Sequence, residues 1–224
     1  GTLGIITEIK LKTIPRPMTT SLLLASFDNL EKAGSVVLEL LQLRPSALEM
    51  VDNFLITMIR REKPVLIPDF LKNSSPAIIL LIEFDNDNLD EINYKLEQAK
   101  KKLSGVAIDI KEAHSKADQD NLWQIRRSAA VVMEGGIESR KKALPFIEDC
   151  AVHPAYFVQY LSVLYQIMKK YEVDFSVWGH AGNGNIHIQP FLDLTDSADK
   201  EKLINIATEV YQKVISLRGA ISGE

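Results

Sequence analysis

The chain has 224 residues, of which 46% are hydrophobic and 25% are charged, and its formal net charge is −4. These values are typical of a globular protein with a sizeable core, and the scattered lysines and arginines do not form the basic cluster of a nucleic-acid-binding protein. The longest apolar runs, SLLLASF and AIILLIEF, are too short for a transmembrane segment, and the single cysteine, Cys150, excludes internal disulfides and fits a reducing compartment.

The first segment, GTLGIITEIKLKTIPRP, alternates between apolar and polar residues, which predicts a strand that is ended by two prolines. The chain begins at Gly1 rather than at methionine, and it stops at AISGE, shortly after a predicted helix. We therefore expect it to be a piece of a longer protein.

Two strand–helix–strand patterns follow, over residues 20–52 and 77–113. In the first, Asp28 and Glu31 have the capping-box spacing that predicts the start of a helix. Between the two patterns, NFLITMIRR predicts a short helix, and residues 63–76, which contain three prolines, predict a loop or an insertion.

The second half of the chain also alternates between helices and strands. Residues 115–134 predict a helix, ALPFIEDCAV predicts an extended segment, and Pro154 fits the first turn of a long helix. DFSVW and IHIQPFL predict two strands joined by a glycine-rich loop, and the last helix is predicted to begin at Asp196 and to end at Gly219.

This element order predicts an α+β fold. Short crossing units combined with a hairpin favour a ferredoxin-like, mixed or antiparallel sheet with helices packed on one face, in two such units or as one extended sheet. A doubly wound nucleotide-binding fold is disfavoured, because no GxGxxG sequence follows a strand.

The loop GHAGNGNIH, at residues 179–187, contains two of the four histidines of the chain. If the flanking strands pair as a hairpin, His180 and His187 converge on one side of its mouth. Imidazole nitrogens bind divalent metals, but two histidines alone hold a metal weakly, so a third ligand, most naturally a carboxylate, is needed. Alternatively, both histidines are ordinary hairpin residues bonded to backbone or water, as we interpret His114 and His153 to be surface or capping residues.

The same loop resembles the GHxGDGNxH signature of FAD-linked oxidases of the D-2-hydroxyacid dehydrogenase type. That group includes D-lactate dehydrogenases, glycolate oxidase large subunits and D-2-hydroxyglutarate dehydrogenases. GTLGIITEIKLK, LWQIRRSA, ALPFIEDCAVHP and GAISGE also match in order and spacing, so the resemblance runs from Gly1 to Glu224. Asn183 stands where the family usually has Asp, which removes a negative charge near the site.

The resemblance implies a domain division. Residues 1–17 would be the last strand of a truncated FAD-binding domain, and residues 18–224 would be the substrate, or cap, domain, truncated at its C-terminal end. Gly1, Thr2 and Gly4 would then approach the flavin, although we expect no tight FAD binding by this piece alone.

The resemblance also implies a reaction centre. His180, His187 and Glu224 would bind a divalent metal, such as zinc, manganese or iron, and Arg126 would bind the carboxylate of a D-2-hydroxy acid. The metal would polarise the substrate hydroxyl while hydride leaves C2 for FAD. In the family the base is the histidine that follows the glutamate, so we expect the isolated chain to be inactive.

Three residues are predicted to act on the substrate. Arg126 is preferred to Arg127 because it lies three residues after Trp123, on the same side of the helix. Alternatively, it is a surface arginine that covers apolar area. Lys142 is a second candidate cation for a dicarboxylate substrate, or alternatively a solvated lysine beside two other basic residues. Asn185, inside the motif, completes the predicted catalytic set.

The implied partners are a small 2-hydroxy acid and an electron acceptor, which would be a quinone, a cytochrome or an electron-transfer flavoprotein. We expect a cytoplasmic location, or a peripheral one at the inner membrane face. Two other functions remain open from the residues: a metal-dependent hydrolase that uses the same two histidines, and a non-catalytic ferredoxin-like module that binds a small molecule or a partner.

Overall fold

The computed structural model describes residues 4–129 and 140–221 of the chain. The strands are β1 (Thr19–Phe27), β2 (Ala47–Asp52), β3 (Ile78–Asn86), β4 (Asp109–Ala113), β5 (Lys142–Ala143), β6 (Cys150–Ala151), β7 (Phe175–His180), β8 (Asn185–Leu192) and β9 (Ala220–Ile221). The helices are α1 (Leu30–Leu41), α2 (Asn53–Glu62), α3 (Asp69–Lys72), α4 (Leu89–Leu103), α5 (Lys116–Arg127), α6 (Phe157–Lys170) and α7 (Ser197–Ser216). Short 3-10 turns lie at Pro64–Leu66, Pro154–Tyr156 and Ala181–Asn183.

One sheet runs through the described part of the chain, in the order β4-β1-β3-β2-β7-β8-β6-β9, with β5 paired to β8. Its paired strands are antiparallel. Strands β1 to β4 follow the strand–helix–strand–strand–helix–strand pattern of a ferredoxin-like unit, with α2 and α3 inserted between β2 and β3, and they lie in the order 4-1-3-2. Strands β6 to β9 repeat the pattern in reverse order, so the two units meet edge to edge at β2 and β7. The prediction of an α+β, ferredoxin-like fold is confirmed.

The two faces of the sheet are covered differently. The long helices α1, α4, α6 and α7 pack on one face, as predicted, and close the larger apolar core. The opposite face carries a smaller cluster to which α2, α3 and α5 contribute. This second layer is required because β1 is apolar on both sides: Leu23 belongs to the first cluster, and its neighbours Leu22 and Leu24 belong to the second.

The strand predicted at the start of the chain is not formed in its described part. Residues 4–17 are neither helix nor strand, and apolar side chains there are exposed, for example 92% of Ile5 and 81% of Leu11. An alternating pattern forms a strand only when a partner strand supplies the backbone hydrogen bonds, and the described residues provide none to this segment.

Several predicted boundaries are also corrected. The cap of α1 is Asn29, whose side chain accepts from the backbone N–H of Lys32 at 2.8 Å, whereas Asp28 pairs with the Lys32 ammonium. The predicted loop over 63–76 contains α3 and a 3-10 turn. The predicted helix over 115–134 is observed as α5, and its residues 130–134 lie outside the described ranges. None of the helices that the structure describes has the length and apolar content to cross a membrane.

Candidate active site

The β7–β8 hairpin places the two histidines of the loop side by side. In its register His180 lies opposite Asn185, and Trp178 lies opposite His187. Residues two apart on a strand, and residues directly opposite on the neighbouring strand, share one face of a sheet. The two imidazole centroids are accordingly 5.4 Å apart, with their planes at 76°. They lie on the face that is covered by the shorter helices.

Glycine is required at the turn of this hairpin. Gly184 has a φ of 66°, and a Cβ placed on it would lie 1.9 Å from the carbonyl oxygen of Val152. The second positive φ in the motif, 136°, belongs to Gly179. The turn can therefore close only with a residue that has no side chain at position 184.

A carboxylate lies against Nδ1 of each imidazole. Glu49 on β2 is the cross-strand neighbour of His180, and its Oε1 is 2.6 Å from His180 Nδ1. Asp149, in the left-handed region with a φ of 60°, has Oδ1 at 3.4 Å from Nδ1 of His187. A carboxylate at one ring nitrogen orients the imidazole and makes the other nitrogen the one that serves as a ligand.

Glu49 also holds the arginine predicted to bind substrate. Its Oε2 accepts from Nε of Arg126 at 2.8 Å, and the two side chains are only 10% and 17% exposed. On the same side of α5, Trp123 donates from Nε1 to Oε2 of Glu83 at 3.0 Å. Residues three apart on a helix share a face, so both side chains point from α5 toward the sheet.

These contacts form the wall of a cleft of about 490 Å³. It is lined by Ala47, Glu49, Glu83, Lys116, Trp123, Arg126, Arg127 and His180. Lys116 and Arg127 both pair with Asp120, and their side chains are 70% and 54% exposed, so they are solvated ion pairs at its rim. Arg126 is the cation that the cleft buries.

Glu49 was not predicted from the sequence. The signal that could have found it is an acidic residue inside ALEMVD, a strand whose other residues are mostly apolar and buried. Only 7% of the surface of the whole Glu49 residue is exposed, and a carboxylate buried to this degree needs a hydrogen-bond or ion-pair partner. The partner itself, His180, lies 131 residues away along the chain.

The other predicted site residues differ in their position. Asn185 lies beside the imidazoles, and its Oδ1 is buried without a hydrogen-bond partner among the described residues. Lys142 is exposed and pairs through its backbone with Leu192, at the far end of β8, so the structure does not bring it to His187.

Gly4 is exposed, with no atom of the described chain within 4 Å of where its Cβ would be. Gly1, Thr2 and Glu224 lie outside the described residues.

The residues present fit a metal site in part. His180 and His187 supply two imidazoles at close range; Glu49 is at hydrogen-bond distance from Nδ1 of His180, and Asp149 lies 3.4 Å from Nδ1 of His187. Within residues 4–129 and 140–221, no three His, Cys, Asp or Glu side chains are arranged so that they could hold a metal ion. A complete metal site therefore needs a third ligand, and Glu224 is the residue predicted to supply it.

Curated relatives match this chain over its whole length. Among curated proteins, the glycolate oxidase subunit GlcD of Bacillus subtilis (strain 168) is 29% identical over 228 residues, covering 100% of this chain and 46% of that protein. The D-lactate dehydrogenase of Anaerostipes hadrus is 30% identical over 237 residues, covering 100% of this chain and 47% of that protein. The chain thus spans about half the length of these curated relatives.

The fold is shared with a solved structure. The 4-ethylphenol oxidase from Gulosibacter chungangensis, in its isoeugenol complex, superposes with a TM-score of 0.61 at 11% identity, over 93% of this chain and 46% of that one. The family described as "FAD linked oxidases, C-terminal domain" matches residues 16–224. The chain belongs to this family.

Proposed function

We propose that this chain is the substrate domain of a FAD-dependent dehydrogenase that oxidises a D-2-hydroxy acid of the glycolate, D-lactate or D-2-hydroxyglutarate class to the 2-oxo acid. The observation that carries the proposal is the pair of carboxylate-supported imidazoles, His180 and His187, beside a cleft that buries Arg126. The names of the relatives, glycolate oxidase and D-lactate dehydrogenase, support this substrate class.

In this proposal Arg126 binds the substrate carboxylate. Its Nε donates to Glu49, which fixes the plane of the guanidinium. The two Nη groups then remain as the parallel donors that match a carboxylate, since the described residues make no hydrogen bond to them. A substrate held in this way has its C2 hydroxyl as the next polar group to be bound.

Oxidation of a 2-hydroxy acid removes a hydride from C2 and a proton from the hydroxyl. The proton would pass to the base that the family resemblance implies, the histidine that follows the glutamate. A zinc, manganese or iron ion held by His180 and His187 would supply Lewis-acid polarisation of that hydroxyl, and FAD would supply the hydride acceptor. The chain's own contribution is to orient His180 through Glu49, to hold a carboxylate, Asp149, near His187, and to bury the arginine beside them. Asn185, whose amide oxygen is buried, would accept a hydrogen bond from the substrate or from a bound water.

The exposed N-terminal segment supports the proposed position of the domain. Ile5, Ile9 and Ile14 are between 64% and 92% exposed, although they are large apolar side chains. Apolar side chains exposed together indicate a surface that another domain covers. We assign this segment to the last strand of the FAD-binding domain in the full-length protein.

Replacement of the buried arginine tests the proposal. In the full-length protein with bound FAD, we expect Arg126→Ala to lower kcat/KM for glycolate or D-lactate by about 10- to 100-fold, because a hydrogen bond to a charged group contributes roughly 1.5–3 kcal/mol. Arg127→Ala, on the same helix but with an exposed side chain paired to Asp120, is the matched control and should change kcat/KM by less than about 3-fold. Equal losses in the two variants, or no oxidation of any 2-hydroxy acid by the unmodified protein, would contradict the proposed function.

A further inference from the structure

We propose that Glu49 is a positioning residue that fixes His180 in the tautomer with the proton on Nδ1 and, through its second oxygen, holds Arg126 at the cleft. The importance of this role for catalysis rests on the proposed function, but the contacts of Glu49 do not depend on it. They connect one buried carboxylate to both groups that the reaction would need.

The contacts of Glu49 determine the tautomer of His180. An ionised carboxylate can only accept hydrogen bonds, and Oε1 of Glu49 lies 2.6 Å from Nδ1 of His180. At this distance a proton lies between the two atoms, and with the carboxylate as the acceptor we infer that Nδ1 carries it. The lone pair of the neutral ring is then on Nε2, the nitrogen required for a metal or a substrate proton.

The same carboxylate determines the position of Arg126. Oε2 accepts from Nε of Arg126 at 2.8 Å, so each oxygen of Glu49 has one partner and the two partners cannot move independently. The Glu49 side chain is only 10% exposed, which reduces screening of both contacts by water. Because β2 and β7 are adjacent strands of one sheet, backbone hydrogen bonds maintain this arrangement.

A glutamine at this position could satisfy only one of the two partners. Its amide has one acceptor oxygen and one donor nitrogen, whereas His180 Nδ1–H and Arg126 Nε–H both need an acceptor. In Glu49→Gln the nitrogen therefore faces one of the two donors. Either the imidazole changes tautomer to accept from it, or the arginine contact is lost.

A purely structural role for Glu49 makes a different prediction. If Glu49 only anchors α5 through Arg126, Glu49→Gln lowers stability without changing the imidazole. The matched control is Glu83→Gln, because Glu83 lines the same cleft and accepts from Trp123 Nε1 at 3.0 Å and from the Ser46 hydroxyl at 3.1 Å. It removes a carboxylate from the same wall, and the hydrogen bonds that Glu83 accepts come from Trp123 and Ser46.

The direct test is the tautomer of the neutral His180 ring, measured by long-range ¹H–¹⁵N NMR on this chain at alkaline pH. We expect the Nδ1–H form in the unmodified chain and in Glu83→Gln, and the Nε2–H form or a mixture in Glu49→Gln. The Nε2–H form in the unmodified chain would overturn the proposal. That measurement needs no variant, so it decides the question even if Glu49→Gln does not fold.

Zinc binding supplies a second readout, by titration calorimetry with Zn²⁺ on the same three chains. Loss of a carboxylate that supports a metal-ligating histidine typically weakens metal affinity by about 10- to 100-fold, which is the expected result for Glu49→Gln, against less than about 2-fold for Glu83→Gln. Equal affinities in all three chains would contradict the role of Glu49. If the unmodified chain binds no Zn²⁺, the metal in the proposed function fails, and the tautomer alone decides the role of Glu49.

Discussion

Single residues determine whether the two imidazoles can meet, and Gly184 is the most constrained of them. Its backbone is left-handed, and the carbonyl oxygen of Val152 occupies the place where a side chain would begin. Val152 directly follows β6, which pairs with β8 at residues 185 and 186, so this carbonyl can move only if β6 moves with it. The turn geometry, and with it the separation of His180 and His187, depends on this contact.

Replacement of Gly184 by alanine should therefore cost more than the usual penalty for a left-handed residue. Gly105→Ala is the matched control, because Gly105 has a similar φ of 77° and no atom of the described chain within 4 Å of its Cβ position. We expect Gly105→Ala to lower the free energy of unfolding by about 1 kcal/mol, and Gly184→Ala by at least about 1 kcal/mol more. Urea denaturation of both variants measures this, and equal losses would show that the Val152 contact can relax.

At the residue scale, the sequence predicted that the two histidines of the motif converge, but it did not predict the carboxylate that pairs with His180. The spacing of His180 and His187 in a glycine-rich loop was sufficient to predict that they converge. The face of α5 that carries Arg126 followed from its spacing to Trp123. Glu49 could not be predicted, because its role depends on a pairing between strands that are far apart in the chain.

At the scale of elements, Asp52 connects a helix to a strand of the other unit. Its carboxylate caps α2 through the Leu55 N–H at 2.9 Å, and it also accepts from the Val177 N–H at 2.9 Å and the Ser176 hydroxyl at 3.0 Å. The side chain is buried at the junction of β2 and β7. Burial raises the pKa of Asp52 from 3.8 to about 7, and this effect outweighs the three donors, which favour the ionised form.

The raised pKa predicts that stability falls as the pH rises. Between about pH 4 and pH 7 the folded state retains the proton of Asp52, whereas the unfolded chain has released it. The stabilising contribution of this proton to the free energy of unfolding is therefore complete below pH 4 and is lost as the pH rises through 7. Relative to Asp52→Asn, the unmodified chain should lose roughly 2–3 kcal/mol of unfolding free energy between pH 5 and pH 8, at 1.36 kcal/mol per pKa unit. Urea denaturation of both chains at the two pH values measures the difference. A difference that stays constant or grows with pH would contradict the assignment.

Elements defined by a strong local pattern were predicted, and elements that need a partner were not. Helix α7 begins after Asp196, whose side chain accepts from the Ala198 N–H, as its sequence predicted. The cap of α1 was assigned one residue early, since Asp28 and Asn29 are both good capping residues and only geometry distinguishes them. The strand predicted at the start of the chain is not formed over residues 4–17, because alternation indicates a strand but does not supply its neighbour.

At the scale of the whole molecule, the candidate site lies where the two ferredoxin-like units join. His180 and His187 come from the second unit, Glu49 from the first, and Arg126 from α5, which follows β4. The sequence predicted the repeated strand–helix pattern but not the pairing of β2 with β7. That pairing involves residues about 130 positions apart, such as Met50 and Gly179, and no local pattern specifies it.

The most direct test of the account is the rate at which glycolate or D-lactate reduces bound FAD in the full-length protein, measured by rapid mixing. We expect His180→Ala and His187→Ala each to slow the reduction by about 100-fold or more, the usual scale for loss of a group that acts on the reacting atoms. His153→Asn, at an exposed capping histidine whose Nδ1 accepts from the Ala155 N–H, should leave the rate unchanged. Reduction at the unmodified rate in both alanine variants would contradict the claim that these two imidazoles form the reaction centre.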